Sequence, residues 1–282
     1  MQDADDPMQQ LRGGRHSDES APSAGGAGRK PRHGELWKLA FSERVSMEFV
    51  FVDAPAVSPH GFLMGSPLNE PGRSSDEAQH RVILTRPYWI QTTPVTQEQW
   101  RLLMRDNPSH FQDMDNLPVE GINWRDTYRF CKTLSAYGLQ ARLPSEAEWE
   151  FAARAGSRAP YPTGDTIRPQ DANYNGQYIT SSGRRKGEFR MRTTPVDLFA
   201  PNRLGLRDVC GNVWEWCLDW YDRYPAMPEE DPRGPRTGSD RVLRGGSWVN
   251  GPVECRVASR YKAAPAVRGI NLGFRIALDH SG

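Results

Sequence analysis

Apolar and polar positions along this chain fall into a few short strand-like runs and three helical ones. Met47-Glu-Phe-Val-Phe-Val52 is β-branched and aromatic and predicts a strand. It leads into His60-Gly-Phe-Leu-Met-Gly-Ser66, an apolar segment bracketed by glycines. His80-Arg-Val-Ile-Leu-Thr85 and Tyr88-Trp-Ile-Gln91 predict a second strand pair. The break falls at Pro87, which lacks the N–H that a central strand needs. The helices are marked by their caps. Thr96 with Gln99, and Ser145 with Glu148, form capping boxes, while Asn123 caps a run in which Trp124, Tyr128, Cys131 and Leu134 recur at helical spacing. Gly138 and Gly156 stand where the second and third helices stop. Trp100, Trp124 and Trp149 are expected to anchor the core, given the area an indole buries. Val242-Leu-Arg244 and Phe274-Arg-Ile276 predict core strands. The Gly-, Asn- and Arg-rich stretch from Tyr161 to Arg192 lacks any period. A loop of that length in a compact domain is usually functional or ligand-stabilised.

Composition divides the chain in two. From Met1 to Arg32 the only large aliphatic residue apart from methionine is Leu11, too little apolar surface to offset the entropy of ordering. Residues 1–45 are therefore read as a disordered arm and residues 46–282 as one domain. With 36 basic and 35 acidic residues the net charge is +1, so no global field selects nucleic acid or anionic membrane. The basic clusters Arg29-Lys30 and Arg184-Arg185-Lys186 lack interleaved aromatics and read as solvated loops. No apolar run reaches the ~18 residues of a membrane span. The start also lacks the apolar stretch of a secretory signal, so the expected location is cytoplasmic. Cys131, Cys210, Cys217 and Cys255 are too few for a disulfide framework, and the spacing of Cys210 and Cys217 matches no common zinc pattern. Neither a nucleophile elbow nor a phosphate-binding P-loop occurs.

Six blocks carry a family resemblance. In order they are Phe62-Leu-Met-Gly-Ser66, Pro94-Val-Thr96, Arg142-Leu-Pro-Ser-Glu-Ala-Glu-Trp-Glu-Phe-Ala-Ala-Arg154, Gly211-Asn-Val-Trp-Glu-Trp216, Arg244-Gly-Gly-Ser-Trp248 and Gly273-Phe-Arg275. Across roughly Met47 to Leu278 the chain resembles the formylglycine-generating (sulfatase-modifying factor) family, a branch of the C-type-lectin-like fold. The fold implied is α+β with little regular secondary structure. Function must come from the site, because this fold hosts enzymes and binders alike.

In the catalytic members, two cysteines after Gly-Gly-Ser hold copper, soft thiolates being suited to Cu(I). Here the first of those positions is Asn250. Cys255 falls at the second, and Ser247 matches an active-site serine. An oxidoreductase would therefore rest on Ser247, Cys255 and copper. The family's iron-dependent sulfoxide synthases use histidines on an additional helical bundle, whereas the six histidines here are scattered. A third group, the variable proteins of diversity-generating retroelements, displays changeable residues on a fixed framework. Pro252, Cys255, Arg256, Ala258, Arg260, Pro265 and Arg268 resemble that framework. The displayed, ligand-binding positions would include Trp248, Val249, Asn250, Glu254, Val257, Ser259, Tyr261, Lys262, Val267, Ile270 and Asn271. The resemblance also implies calcium, with Asn173, Asn212 and Glu215 as its ligands; the alternative is a tight turn whose polar groups satisfy buried backbone. The function expected is a module binding a protein or small-molecule ligand, with the metal-dependent oxidoreductase as the competing reading.

Overall fold

In the computed structural model, which describes residues 29–180, 183–184 and 187–280, the ordered chain begins earlier than composition suggests. Strand β1 (Leu36–Ala40) lies inside the segment read as arm and pairs antiparallel with β2 (Ser46–Val52). Trp37 sits opposite Phe49 and stacks on its ring at 5.5 Å, and Leu39 sits opposite Met47. Two apolar side chains separated by Lys38 are enough for a period-two strand, yet a composition window drowns them among polar neighbours. Most of the arm, residues 1–28, lies outside the described residues, as do Arg185 and Lys186 of the second basic cluster.

Beyond β2 follow the one-turn helix α1 (Ala54–Val57), β3 (Phe62–Met64), β4 (His80–Ile83), β5 (Tyr88–Gln91), α2 (Gln97–Met104), α3 (Trp124–Ser135), β6 (Ala141–Arg142) and α4 (Glu146–Arg154). The remaining strands are β7 (Ile179–Thr180), β8 (Gly183–Arg184), β9 (Trp214–Trp220), β10 (Glu229–Glu230), β11 (Arg241–Arg244), β12 (Arg260–Ala263), β13 (Leu272–Gly273) and β14 (Ala277–Asp279). Among the described residues, short strands and four helices match the α+β fold with little regular structure. The capping boxes at Thr96 and Ser145 form as the sequence predicts, and Asn123 makes a third with Asp126. Helix α3 buries Cys131 and Leu134 as expected, together with Thr127 and Phe130, but leaves Tyr128 half exposed.

The largest sheet runs in the order β1-β2-β5-β14-β6. Because side chains alternate across a strand, β2 serves two cores. Met47, Phe49 and Phe51 enter one, with Trp100, Phe130, Trp214, Trp216 and Phe274. Val50 and Val52 enter the other, with Tyr88, Ile90, Trp149, Cys210 and Cys255. Strands β4 and β5 do not pair with each other: β4 joins a sheet of order β10-β4-β3, and Pro87 marks the change of sheet. A third sheet, β12-β11-β9-β13, carries the Gly, Trp and Arg blocks and leaves β12 at its edge. Phe274 and Ile276 are buried between β13 and β14, their carbonyls accepting the N–H groups of Val95 and Gln91.

Candidate functional site

The segment from Gly245 to Asn271 is anchored by buried ion pairs. At the end of β11, Arg244 lies between Glu146 and Glu150 of α4 and also donates to the carbonyls of Val257 (2.9 Å) and Ala258 (3.2 Å). Arg256 reaches Glu70 and both oxygens of Glu77, each at 2.7 Å. Arg260 grips Glu146 with two nitrogens, at 2.6 and 2.8 Å, and lies 3.8 Å over the Tyr224 ring. Arg275 holds both oxygens of Glu215, at 2.6 and 2.7 Å, and donates to three carbonyls. Such guanidiniums keep their charge in the interior because carboxylates and carbonyls replace the lost water.

Two glycines let the chain fit over this base. A Cβ on Gly246 (φ +76) would lie 2.6 Å from Cys255 Sγ, and one on Gly211 (φ +86) 2.3 Å from the Asn173 carbonyl oxygen. Only a residue without a side chain permits either approach.

Ser247, fully buried, donates to Asn250 Oδ1 and accepts from Asn271 Nδ2 at 3.1 Å. Trp214 Nε1 donates to the same Asn250 oxygen at 2.9 Å, and the Trp214 ring stacks on Tyr261 at 5.2 Å. The sequence-predicted residues Ser247, Asn250, Tyr261 and Asn271 therefore do converge, through Trp214. Trp248 packs against Phe111 and Phe189, and its Nε1 donates to the Ile270 carbonyl.

Several expected display positions belong to the base instead. Trp248, Val257 and Ser259 are buried: Trp248 lies against Phe111 and Phe189, and Val257 donates its N–H to the Pro160 carbonyl and accepts from Arg244 at its own carbonyl. Tyr261 and Lys262 do not share a surface. Adjacent strand residues face opposite sides, and the Lys262 ammonium lies 4.7 Å over Tyr221, near Asp240, on the Arg260 side. Val249, Glu254, Tyr261, Lys262, Val267 and Ile270 are exposed.

The chain does not fit copper. Cys255 is fully buried, and burial holds its thiol well above the ordinary range, so the thiolate that a metal needs is disfavoured. No second thiolate stands at Asn250, whose side-chain oxygen is bound by Ser247 and Trp214. Ser247 likewise has its hydroxyl engaged on both sides.

Of the expected calcium ligands, Glu215 has both oxygens on Arg275 and accepts Trp149 Nε1 as well. Asn212 spends its amide on Asn173, Thr194 and Asp208. Asn173 Oδ1, by contrast, is buried without a partner, as is Asp208 Oδ1 one hydrogen bond from Asn212. Burial pushes the Asp208 carboxyl up to about 7. These two oxygens are left open, whereas those of Asn212 and Glu215 are taken. Sequence reasoning missed Asp208, whose signal was an acid three residues before Gly211 beside an apolar run. Among the described residues no group of three His, Cys, Asp or Glu side chains is placed to hold a metal, and no helix is long and apolar enough to cross a membrane.

A family model described as a sulfatase-modifying factor enzyme 1-like domain matches residues 52–280. The mouse formylglycine-generating enzyme is 35% identical over 211 residues, covering 71% of this chain. The chain spans little more than half of that relative, 54% of its length. Among solved structures, Treponema denticola variable protein 1 superposes with a TM-score of 0.74 at 29% identity, covering 86% of this chain and 99% of its own. PvdO from Pseudomonas aeruginosa gives 0.74 at 28%, covering 89% and 100%. With its Gly, Trp and Arg blocks assembled on one buried base, the chain belongs to the sulfatase-modifying factor family.

Proposed function

We propose that this chain is a binding module that presents residues 249–270 to a protein or small-molecule ligand. One observation carries the reading: Val249, Val253, Tyr261, Val267 and Ile270 are each between 42% and 52% exposed, five large apolar side chains offered to water by one short segment. Apolar side chains left partly in water gain free energy when a ligand covers them. Arginine anchors beneath them keep that surface ordered before a ligand arrives, which lowers the entropy cost of binding. The likeness to a variable protein over most of both chains supports the same reading and extends it to a retroelement-diversified surface.

Sequencing the DNA that flanks the coding region tests the extension. A near-copy of codons 244–275 differing chiefly at adenines, beside a reverse transcriptase gene, is the expected finding. The oxidoreductase alternative is tested by copper loading with a cysteine-containing peptide. Oxygen consumption lost in Cys255→Ala and kept in Cys131→Ala would overturn the binding reading. Calcium is proposed at Asn173 and Asp208, supported by their unpartnered oxygens. Added calcium should then raise the unfolding midpoint of the wild type and leave Asp208→Asn unmoved.

A further inference from the structure

A cavity of about 450 Å³ opens between α1, β3 and the C-terminal end of α4, and shares no residue with the Ser247 network. Its volume lies within the ~300–1,000 Å³ of small-molecule sites. The wall is apolar: Phe62 and Phe151 meet edge to face at 5.1 Å, flanked by Leu63 and Leu204.

The polar lining is one-sided, because it consists of donors without a carboxylate. Arg81 spends one nitrogen on the His60 carbonyl (2.8 Å) and, among the described residues, makes no ion pair. Arg158 is exposed and, among the described residues, has neither a hydrogen-bond nor an ion-pair partner for its guanidinium. Arg154, deeper in, is already neutralised by Glu150 at 2.7 Å. His33 accepts the Asp53 N–H at Nδ1 (3.2 Å), which leaves its proton on Nε2 as a donor. Burial also lowers its affinity for a second proton.

A helix C-terminus normally presents bare carbonyls that repel an anion. Those of α4 are taken. Phe151 and Arg154 accept from Ala155 and Ser157, while Asn202 Nδ2 bridges the carbonyls of Ala152 and Ala153 at 2.9 and 3.0 Å. With the helix end quenched, the guanidiniums of Arg81 and Arg158, which face no carboxylate among the described residues, set the sign of the pocket.

We propose that this cavity binds a small anion with an apolar body, the acid group held by Arg81 and Arg158 and the body resting on Phe62 and Phe151. A carboxylate, sulfonate or phosphate ester of an aromatic or short acyl group meets both requirements. Bidentate pairing to a planar guanidinium favours such groups over halide.

The test is calorimetric titration of the full chain with 2-naphthalenesulfonate and, separately, with uncharged 2-naphthalenemethanol. Expected is one saturable site for the sulfonate and at least tenfold weaker binding of the alcohol. Removing the guanidiniums in Arg81→Gln/Arg158→Gln should weaken the sulfonate by at least tenfold, roughly the loss of one charge-assisted contact. Both positions are exposed, so the double variant should keep the wild-type unfolding midpoint, which is measured alongside. Lys262→Gln, on the display segment, should bind as the wild type does. Absence of a saturable site, equal affinity for the two probes, or sulfonate binding that survives the double variant but falls in Lys262→Gln would each overturn the proposal.

Discussion

The base and the display segment of this domain obey opposite rules. Beneath the surface sit four guanidiniums, Arg244, Arg256, Arg260 and Arg275, whose side chains are at most 2% exposed. Above them, over a couple of dozen residues, three valines, an isoleucine and a tyrosine face water among the charged Glu254, Lys262 and Arg268. Charge inside and hydrocarbon outside is the reverse of ordinary sorting. The difference shows what each region is for. A buried ion pair adds little net stability over an apolar replacement, because desolvation offsets the attraction. It does, however, fix geometry, since each nitrogen demands an acceptor in one place. An exposed apolar side chain fixes nothing about the fold and gains only when something covers it.

The sharpest way to break this contrast is to remove one half of a buried pair. Arg275→Ala strands the Glu215 carboxylate and three carbonyls and should cost ~3–5 kcal/mol, read as a fall in the urea midpoint. Next comes the joint between the two regions. Gly246→Ala drives a Cβ into Cys255 at positive φ and should cost roughly 2–3 kcal/mol by the same measurement.

A smaller effect separates paired from unpaired buried carboxylates by pH. Glu150, although burial opposes it, is held below its ordinary value by Arg154 and Arg244. Its contribution is present above the unfolded value of 4.5 and is lost as the pH falls. Asp219, buried and beside Glu146, is pushed up to about 8 from 3.8. The cost of ionising it is absent below the lower value and complete above the higher. Asp219→Asn should therefore gain on the wild type by ~1 kcal/mol or more between pH 4 and 8, followed by denaturation across that range. At the bottom of the scale, Ile270→Ser should change stability by no more than ~1 kcal/mol, since close to half of the residue is already in water. A large loss there would show that the display segment is part of the base.

Local chemistry made much of this legible in advance. A cap and its partner three residues on are neighbours in both chain and space, so the helices starting after Thr96, Asn123 and Ser145 could be read directly. The ordered Gly, Trp and Arg blocks likewise pointed to the family. What stayed hidden was long-range. Nothing in the sequence says that Arg256 will find Glu70 and Glu77, 186 and 179 residues away, or that Glu215 will be consumed by Arg275. The same blindness put Val257 and Ser259 on the surface and grouped Tyr261 with Lys262. Spacing along a loop carries no information about which side chains a distant partner pulls under.

Strand β14 holds a particular place in the largest sheet. Among the described residues it is the last strand in sequence order, yet it lies between β5 and β6, with residues 277–279 pairing to β5 and 277–278 to β6. As the polypeptide leaves the ribosome, β5 and β6 are made well before the strand that joins them, and each meanwhile has an open row of backbone donors and acceptors. Long-range pairing of this kind slows folding and leaves such edges available to other chains. A growing chain of this protein therefore depends for its solubility on residues 277–279, and a ribosome stalled shortly before Ala277 should release a product that aggregates rather than a slightly shortened domain.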